Sequence, residues 1–134
     1  LNLATEAGTH NEVIEIEGRD IPTVREADGV VWFEFEALCG GPRSAADYIE
    51  IARTYQTVVL SNVPKLTPDI EDQAKRFINL IDELYDRRVK LIISAAEAPD
   101  RLYGGTRHAA DFQRTVSRLH EMSSHTYLAE SHRP

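Results

Sequence analysis

TVVLSNVPKLTPDIEDQAKRFINLIDELYDRRVKLIIS, residues 57–94, decides the fold of this chain. It opens on Thr57-Val58-Val59-Leu60, a continuous β-prone run of the kind expected of a strand buried on both faces. It closes on Val89 to Ser94 (VKLIIS), a second strand of the same character. Between them Thr67 stands as a cap with Pro68 at the first helical position, and Asp69, Glu71 and Asp72 suit the positive end of a helix dipole. Ile70, Ala74, Phe77, Ile78, Ile81, Leu84 and Tyr85 then step by three and four, which predicts a long amphipathic helix with Arg87 and Arg88 at its C-terminus. Two apolar strands joined by one helix imply a right-handed parallel crossover.

The same stretch holds a decoy. Phe77-Ile78-Asn79-Leu80-Ile81-Asp82-Glu83 matches a Walker-B strand on paper, apolar residues followed by Asp-Glu. Helical spacing and the bracketing caps place it on the helix, so Asp82 and Glu83 decorate a helix rather than hold Mg²⁺.

Upstream, Ser44 with Asp47 three residues on approximates a capping box, and Tyr48, Ala52 and Tyr55, flanked by Ile49 and Ile51, give the following helix an apolar face. Three short β-prone runs precede it: Val13 to Glu17, Ile21 to Arg25 and Val30 to Phe35. Gly18-Arg19-Asp20 and Ala27-Asp28-Gly29 punctuate them as a meander, with Pro22 pushing its strand towards an edge. Downstream, Pro99 to Tyr103 reads as a turn and Gly104-Gly105-Thr106 as a loop. A last helix runs from about Ala110 with Phe112, Val116 and Leu119 inward, and the end from Ser131 reads as frayed. The expectation is a single α/β domain over 12–130, between a linker over 1–11 and a tail over 131–134. It is a three-layer mixed sheet with a parallel βαβ core, degenerate and P-loop-like, preceded by an N-terminal β-meander.

At 134 residues, 42% hydrophobic and 28% charged, the chain has the size and composition of one globular domain. A net charge of −7 argues against an electrostatic nucleic-acid binder. The single Cys39 excludes an intrachain disulfide and suits a reducing cytoplasm. No apolar stretch approaches the ~20 residues of a membrane span. The start has neither a basic nor an apolar leader region and no initiator Met, as expected of a fragment from a longer protein.

No G-x-x-x-x-G-K-[ST] run occurs, so the isolated chain is not expected to hydrolyse ATP, and no catalytic residue is assigned. Gly40-Gly41-Pro42-Arg43-Ser44 sits between a strand and a helix, where a P-loop would be. Two readings stand: a structural turn, or a weak phosphate site using Arg43 and Ser44 at a helix N-terminus. Cys39 reads as a small buried residue rather than a nucleophile. His10, His108, His120, His125 and His132 lack metal-ligand spacing, so no metal is assigned. Arg114 and Arg118 lie four apart on one helix face, opposite Phe112, Val116 and Leu119. They form either a solvated face, with Arg114 on Asp111 and Arg118 on Glu121, or a guanidinium pair presented to a phosphate or a partner carboxylate. Lys75, Arg76, Arg87, Arg88 and Lys90 add a locally basic stretch that suits an acidic or phosphate-bearing partner.

WFEFEALCGGPRSAADYIEIARTYQTVVLSNVPKL, AKRFINLIDELYDRRVKLIISAAEAPDRLY and FQRTVSRLHEMSSHTYL resemble successive C-terminal signatures of ZapE-like (AFG-type) AAA+ P-loop ATPases, over roughly Val13 to Leu128. Matching positions include Leu38, Cys39, Asp47, Tyr48, Arg76, Phe77, Asp82, Tyr85, Arg114, Ser117, Arg118, Glu121 and Met122. In that family the Walker and sensor segments lie upstream, so the resemblance implies ATP and Mg for the parent and none for this fragment. It also implies packing on the N-terminal AAA+ domain of the same chain, a homo-oligomeric parent, a division-machinery partner and a bacterial cytoplasmic location. Arg76, Arg114 and Arg118 are the candidates for a trans-acting or interface role. In register, Thr57–Leu60 takes the Walker-B place with Ser61 and Asn62 for its acids, and Gly40 to Ser44 takes the Walker-A place without its Lys. That is the pattern of a decayed P-loop core, which requires Thr57–Leu60 and Val89–Ser94 to be parallel in one sheet. A plain scaffold is the remaining alternative.

Overall fold

The computed structural model describes residues 9–10 and 13–134. In chain order it runs β1 (Thr9–His10), β2 (Val13–Ile16), β3 (Arg19–Pro22), β4 (Arg25–Ala27), β5 (Val30–Glu34), α1 (Ala45–Thr54), β6 (Thr57–Val63), α2 (Glu71–Asp86), β7 (Lys90–Ala95), α3 (Pro99–Leu102), α4 (Ala109–Met122) and α5 (His125–Ala129). The main sheet has the order β1-β4-β5-β6-β7, while β2 and β3 pair separately. Strands β5, β6 and β7 are parallel, so the expected βαβ unit occurs in succession as β5–α1–β6 and β6–α2–β7. The Thr57–Leu60 and 89–94 runs are thus parallel neighbours, as a degenerate P-loop-like core requires.

The β-prone N-terminal runs are built in two pieces. Two-residue turns at Glu17–Gly18 and Asp28–Gly29, all four residues at positive φ, close the hairpins β2–β3 and β4–β5. The Ile21–Arg25 run divides between them. Pro22 has no N–H to extend a ladder, so β3 ends there, and Arg25–Ala27 joins the main sheet beside β5. The linker expected over 1–11 lies largely outside the described residues. Within it, Thr9 and His10 pair with Glu26 and Arg25.

The sequential order of β5, β6 and β7 with right-handed crossovers puts α1 and α2 on one face of the sheet. Burial alternates accordingly. Val31, Phe33, Val58 and Leu60 are fully buried against the helices, with Leu91 and Ile93 packed beside them. On the helix side, Ala74, Phe77, Ile78, Ile81 and Leu84 of α2 are fully buried, each large one stabilising the fold by about 1.5–3 kcal/mol in transfer free energy. Phe77 joins Phe35 and Phe112 at ring separations of 6.3 and 6.1 Å. The opposite face of the sheet carries Trp32, Val59 and Ile92 in one row, outside this core. No second helical layer covers that face among the described residues. The hairpin β2–β3, packed on α1 and the turn after β5, supplies the remaining β layer.

Local signals resolve as follows. The capping box at Ser44 forms. Thr67-Pro68 leads first into a tight 3₁₀ turn, Pro68–Ile70, and only then into α2. The turn expected at Pro99 is the short helix α3, and an unexpected α5 follows α4, capped by the Ser124 hydroxyl accepting from Tyr127 N at 3.2 Å. The chain end is tied back rather than frayed: Arg133 N donates to Arg87 O at 2.8 Å, and the His132 ring lies 2.7 Å from Ala52 O.

Candidate functional site

The loop between β5 and α1 holds Arg43 and Ser44 at the carboxyl end of a parallel strand. A helix N-terminus there offers unpaired N–H groups to an anion. In this chain the cap is closed by the protein's own carboxylate. Asp47, fully buried, accepts from Ser44 N at 2.8 Å and is gripped by Arg19 Nη2, 2.7 Å from each carboxylate oxygen. A tight π-type turn, Glu36–Gly40, precedes the loop, and the Glu36 carboxylate packs so closely on Gly40 that a Cβ there would meet Oε1 at 2.1 Å. Arg43 Nε donates to Ala37 O at 3.0 Å, closing the same turn. Cys39 lies beneath, its thiol pushed up to about 12 by burial, which leaves it protonated and unreactive at neutral pH.

The other carboxyl ends tell the same story. Ligand crevices in α/β sheets open where the strand order reverses. The parallel strands here follow one another without reversal. Ser61 and Asn62, at the end of β6, bind Glu34: Ser61 Oγ donates to Oε2 at 3.1 Å and Asn62 Nδ2 to Oε1 at 2.7 Å. Trp32 Nε1 donates to Ser61 Oγ at 2.9 Å, and Asn62 N to Ser94 Oγ at 3.0 Å. The region is acidic and satisfied within itself.

The arginine pair meets on the helix side. Arg114 Nη2 lies 2.9 Å from Asp82 Oδ2, Arg118 Nη1 bonds Asp82 Oδ1, and Arg114 also reaches Asp111 at 3.3 Å. Arg118 stacks on the Tyr85 ring at 4.7 Å, whose hydroxyl donates to Glu121 Oε1 at 2.8 Å. The helical placement of Asp82 and Glu83 therefore decides their role: Asp82 locks α2 to α4, and Glu83 pairs with Arg87 at 2.7 Å. Arg76 donates to Cys39 O at 3.1 Å and pairs with Asp72 at 3.5 Å. Of the basic stretch, Arg88 pairs with Glu130 at 2.7 Å and lies over the Tyr85 ring.

One cluster went unread in the sequence. The Glu71 carboxylate accepts from Tyr103 OH at 2.6 Å and from the backbone N–H groups of Thr106 and Arg107 at 2.9 and 3.0 Å. The Tyr103 hydroxyl first, then the two N–H groups, hold its carboxyl down to about 2. The signal was present as Gly104-Gly105 before a helix, since loops of this kind aim consecutive N–H groups at an anion.

The family model for AFG1-like ATPases matches residues 1–131. The chain belongs to that family. It is 39% identical over 132 residues to the cell division protein ZapE of Escherichia coli, a match covering 98% of this chain and 35% of ZapE. It is also 35% identical over 151 residues to lactation elevated protein 1 homolog B of Danio rerio, covering 89% of this chain and 30% of that protein. The chain thus spans about a third of the length of the curated relatives it matches. No solved structure matches it. Among the described residues of this AFG1-like chain, no helix is long and apolar enough to cross a membrane, and no group of three or more His, Cys, Asp or Glu side chains is placed to hold a metal.

Proposed function

We propose that the chain is a non-catalytic module of an ATP-hydrolysing AAA+ ATPase, acting in docking and assembly of the motor. The observation that carries this is the bare face of the sheet. Sheets of parallel strands are normally covered on both faces. Here, among the described residues, no helix lies over the Trp32–Val59–Ile92 row, and although Val59 is buried, Ile92 is 47% exposed. The relatives' remaining length supplies a covering element, the nucleotide-binding part of the same polypeptide, which would hold ATP and Mg. The buried Asp47 carboxylate, an anion already at the start of α1, supports keeping nucleotide away from Gly40–Ser44. The reading extends to a homo-oligomeric, cytoplasmic bacterial parent working with division proteins, the last of which the likeness to the cell division protein ZapE supports.

In the full-length protein, Ile92→Asp lowers ATP turnover or disrupts oligomer assembly, while Arg43→Ala leaves ATP–Mg affinity within about twofold. Normal turnover and assembly in Ile92→Asp overturns the docking role. A tenfold loss of nucleotide affinity in Arg43→Ala establishes the alternative, a weak nucleotide site at Gly40–Ser44. A second reading keeps Arg114 and Arg118 as trans-acting contacts, favoured by the 43% exposure of Arg114. It requires Asp82 to release them.

A further inference from the structure

β7 is the outermost strand of the main sheet, and its far side pairs with nothing among the described residues. In a parallel ladder a residue bonds one neighbour through both its N–H and its C=O, and successive residues alternate sides. Lys90 N donates to Gln56 O and Ala96 N to Val63 O, so even-numbered residues face β6. Leu91, Ile93 and Ala95 therefore aim their backbone N–H and C=O groups away from the sheet. The same three residues, with Leu102 of α3 and Leu119 and Met122 of α4, line a groove of about 620 Å³.

Native sheets blunt a free edge with proline, bulges or inward charges. Residues 90–95 contain no proline, and their one charge, Lys90, is drawn off to Glu130 O at 2.6 Å. The ladder irregularity falls in β6, between Leu60 and Val63, rather than along the free edge. Charges at the rim are already paired, Glu97 with Arg101 at 3.5 Å and His120 with Asp100 at 3.0 Å. The groove thus has an apolar floor of Leu91, Ile93, Leu102, Leu119 and Met122 and a rim of paired charges, which suits an occupant that turns apolar side chains to the floor. An edge so poorly protected also needs one that is always present, which a covalently linked segment is and a passing partner is not.

We infer that this groove is a strand-addition site, filled by an extended apolar segment from the part of the parent polypeptide that lies outside the matched third. The inference rests on the chain being a module of a longer ATPase, but it uses a different surface from the Trp32–Ile92 face.

The test is amide hydrogen exchange on the purified full-length protein, without partners, at two concentrations. The Leu91, Ile93 and Ala95 amides exchange at least ~100-fold slower than in an unstructured peptide, at a rate independent of protein concentration. Ile93→Pro removes an outward N–H and no bond to β6, so it speeds exchange at Leu91 and Ala95, and a slow inward Ile92 amide shows that the lost Ile93 packing has not opened the sheet. Fast exchange at the three wild-type amides overturns the inference. Protection that grows with concentration assigns the groove to a second copy and overturns it equally. Either result leaves the Ile92→Asp outcome untouched, so the two readings fail separately.

Discussion

Removing the Asp82 carboxylate tests whether the arginine pair is a lock. Asp82→Ala deprives Arg114 of its contact at 2.9 Å and Arg118 of its partner, at side-chain exposures of 23% for Asp82, 26% for Arg118 and 43% for Arg114. Exposed pairs contribute about 0.2–1 kcal/mol, and partial shielding with charge-assisted geometry raises that towards the top of the range. Arg114 keeps Asp111 as a second acceptor and loses less, about 0.5 kcal/mol. Arg118 is held in place by the Tyr85 ring and is left facing no anion, so its pair contributes about 1 kcal/mol. Asp82→Ala should therefore cost about 1.5 kcal/mol, near 5 °C in Tm for a chain of this size. The assay is a double-mutant cycle of Asp82→Ala with Arg118→Ala by urea denaturation. The coupling should be about 1 kcal/mol at low salt and shrink by roughly half in 1 M salt. A coupling below ~0.3 kcal/mol would refute the lock. In the full-length protein, alanine at both Arg114 and Arg118 should lower any ATP turnover if they also act in trans. Unchanged turnover at constant oligomeric state leaves them as the lock alone.

Glu71 has a carboxyl held down to about 2 against an ordinary value of 4.5. A group depressed in the folded state adds stability above its unfolded value and loses it as pH falls. Stability should thus drop between about pH 4.5 and 2, and Glu71→Gln should flatten that segment of a pH–denaturation profile. Gly105→Ala should lower Tm sharply, because a Cβ there would lie 2.5 Å from Glu71 Oε2, whereas Gly41→Ala, with nothing within 4 Å, should leave Tm within a degree or two. The Cys39 thiol, buried and pushed up to about 12, should resist a thiol reagent at pH 8 until the protein unfolds. Rapid labelling of the native protein would show that the turn at 36–40 opens locally.

What was legible in the sequence is what repeats locally. The stripe from Ile70 to Tyr85 fixed α2 because only a helix places those residues on one face. The same logic disposed of the Walker-B lookalike, since Asp82 lies one position past Ile81 on that helix. Ser44 and Asp47 were readable as a cap because a capping box spans only four residues. Contacts between distant residues left no such trace. Nothing near Asp47 announces Arg19, 28 positions away, and nothing near Glu71 announces Tyr103, 32 positions away. The arginine pair shows the cost of this blindness: local spacing offered Asp111 and Glu121 as its neighbours, and the fold brought in Asp82 from another helix.

The exposure of β7 was misread for a related reason: Val58, Val59 and Leu60 of β6 are buried as their run announces, whereas Ile92 of β7 is 47% exposed. An apolar run such as that over 89–94 announces a buried strand whether or not a covering element lies beside it. β6 meets the helices with Val58 and Leu60, while Val59 stands between Trp32 and Ile92 on the other side. The sequence of β6 is thus that of a buried inner strand, while the equally apolar β7 is the edge of the sheet. A Val59 at 4% exposure beside an Ile92 at 47% marks the step from an inner strand to the strand at the sheet's edge.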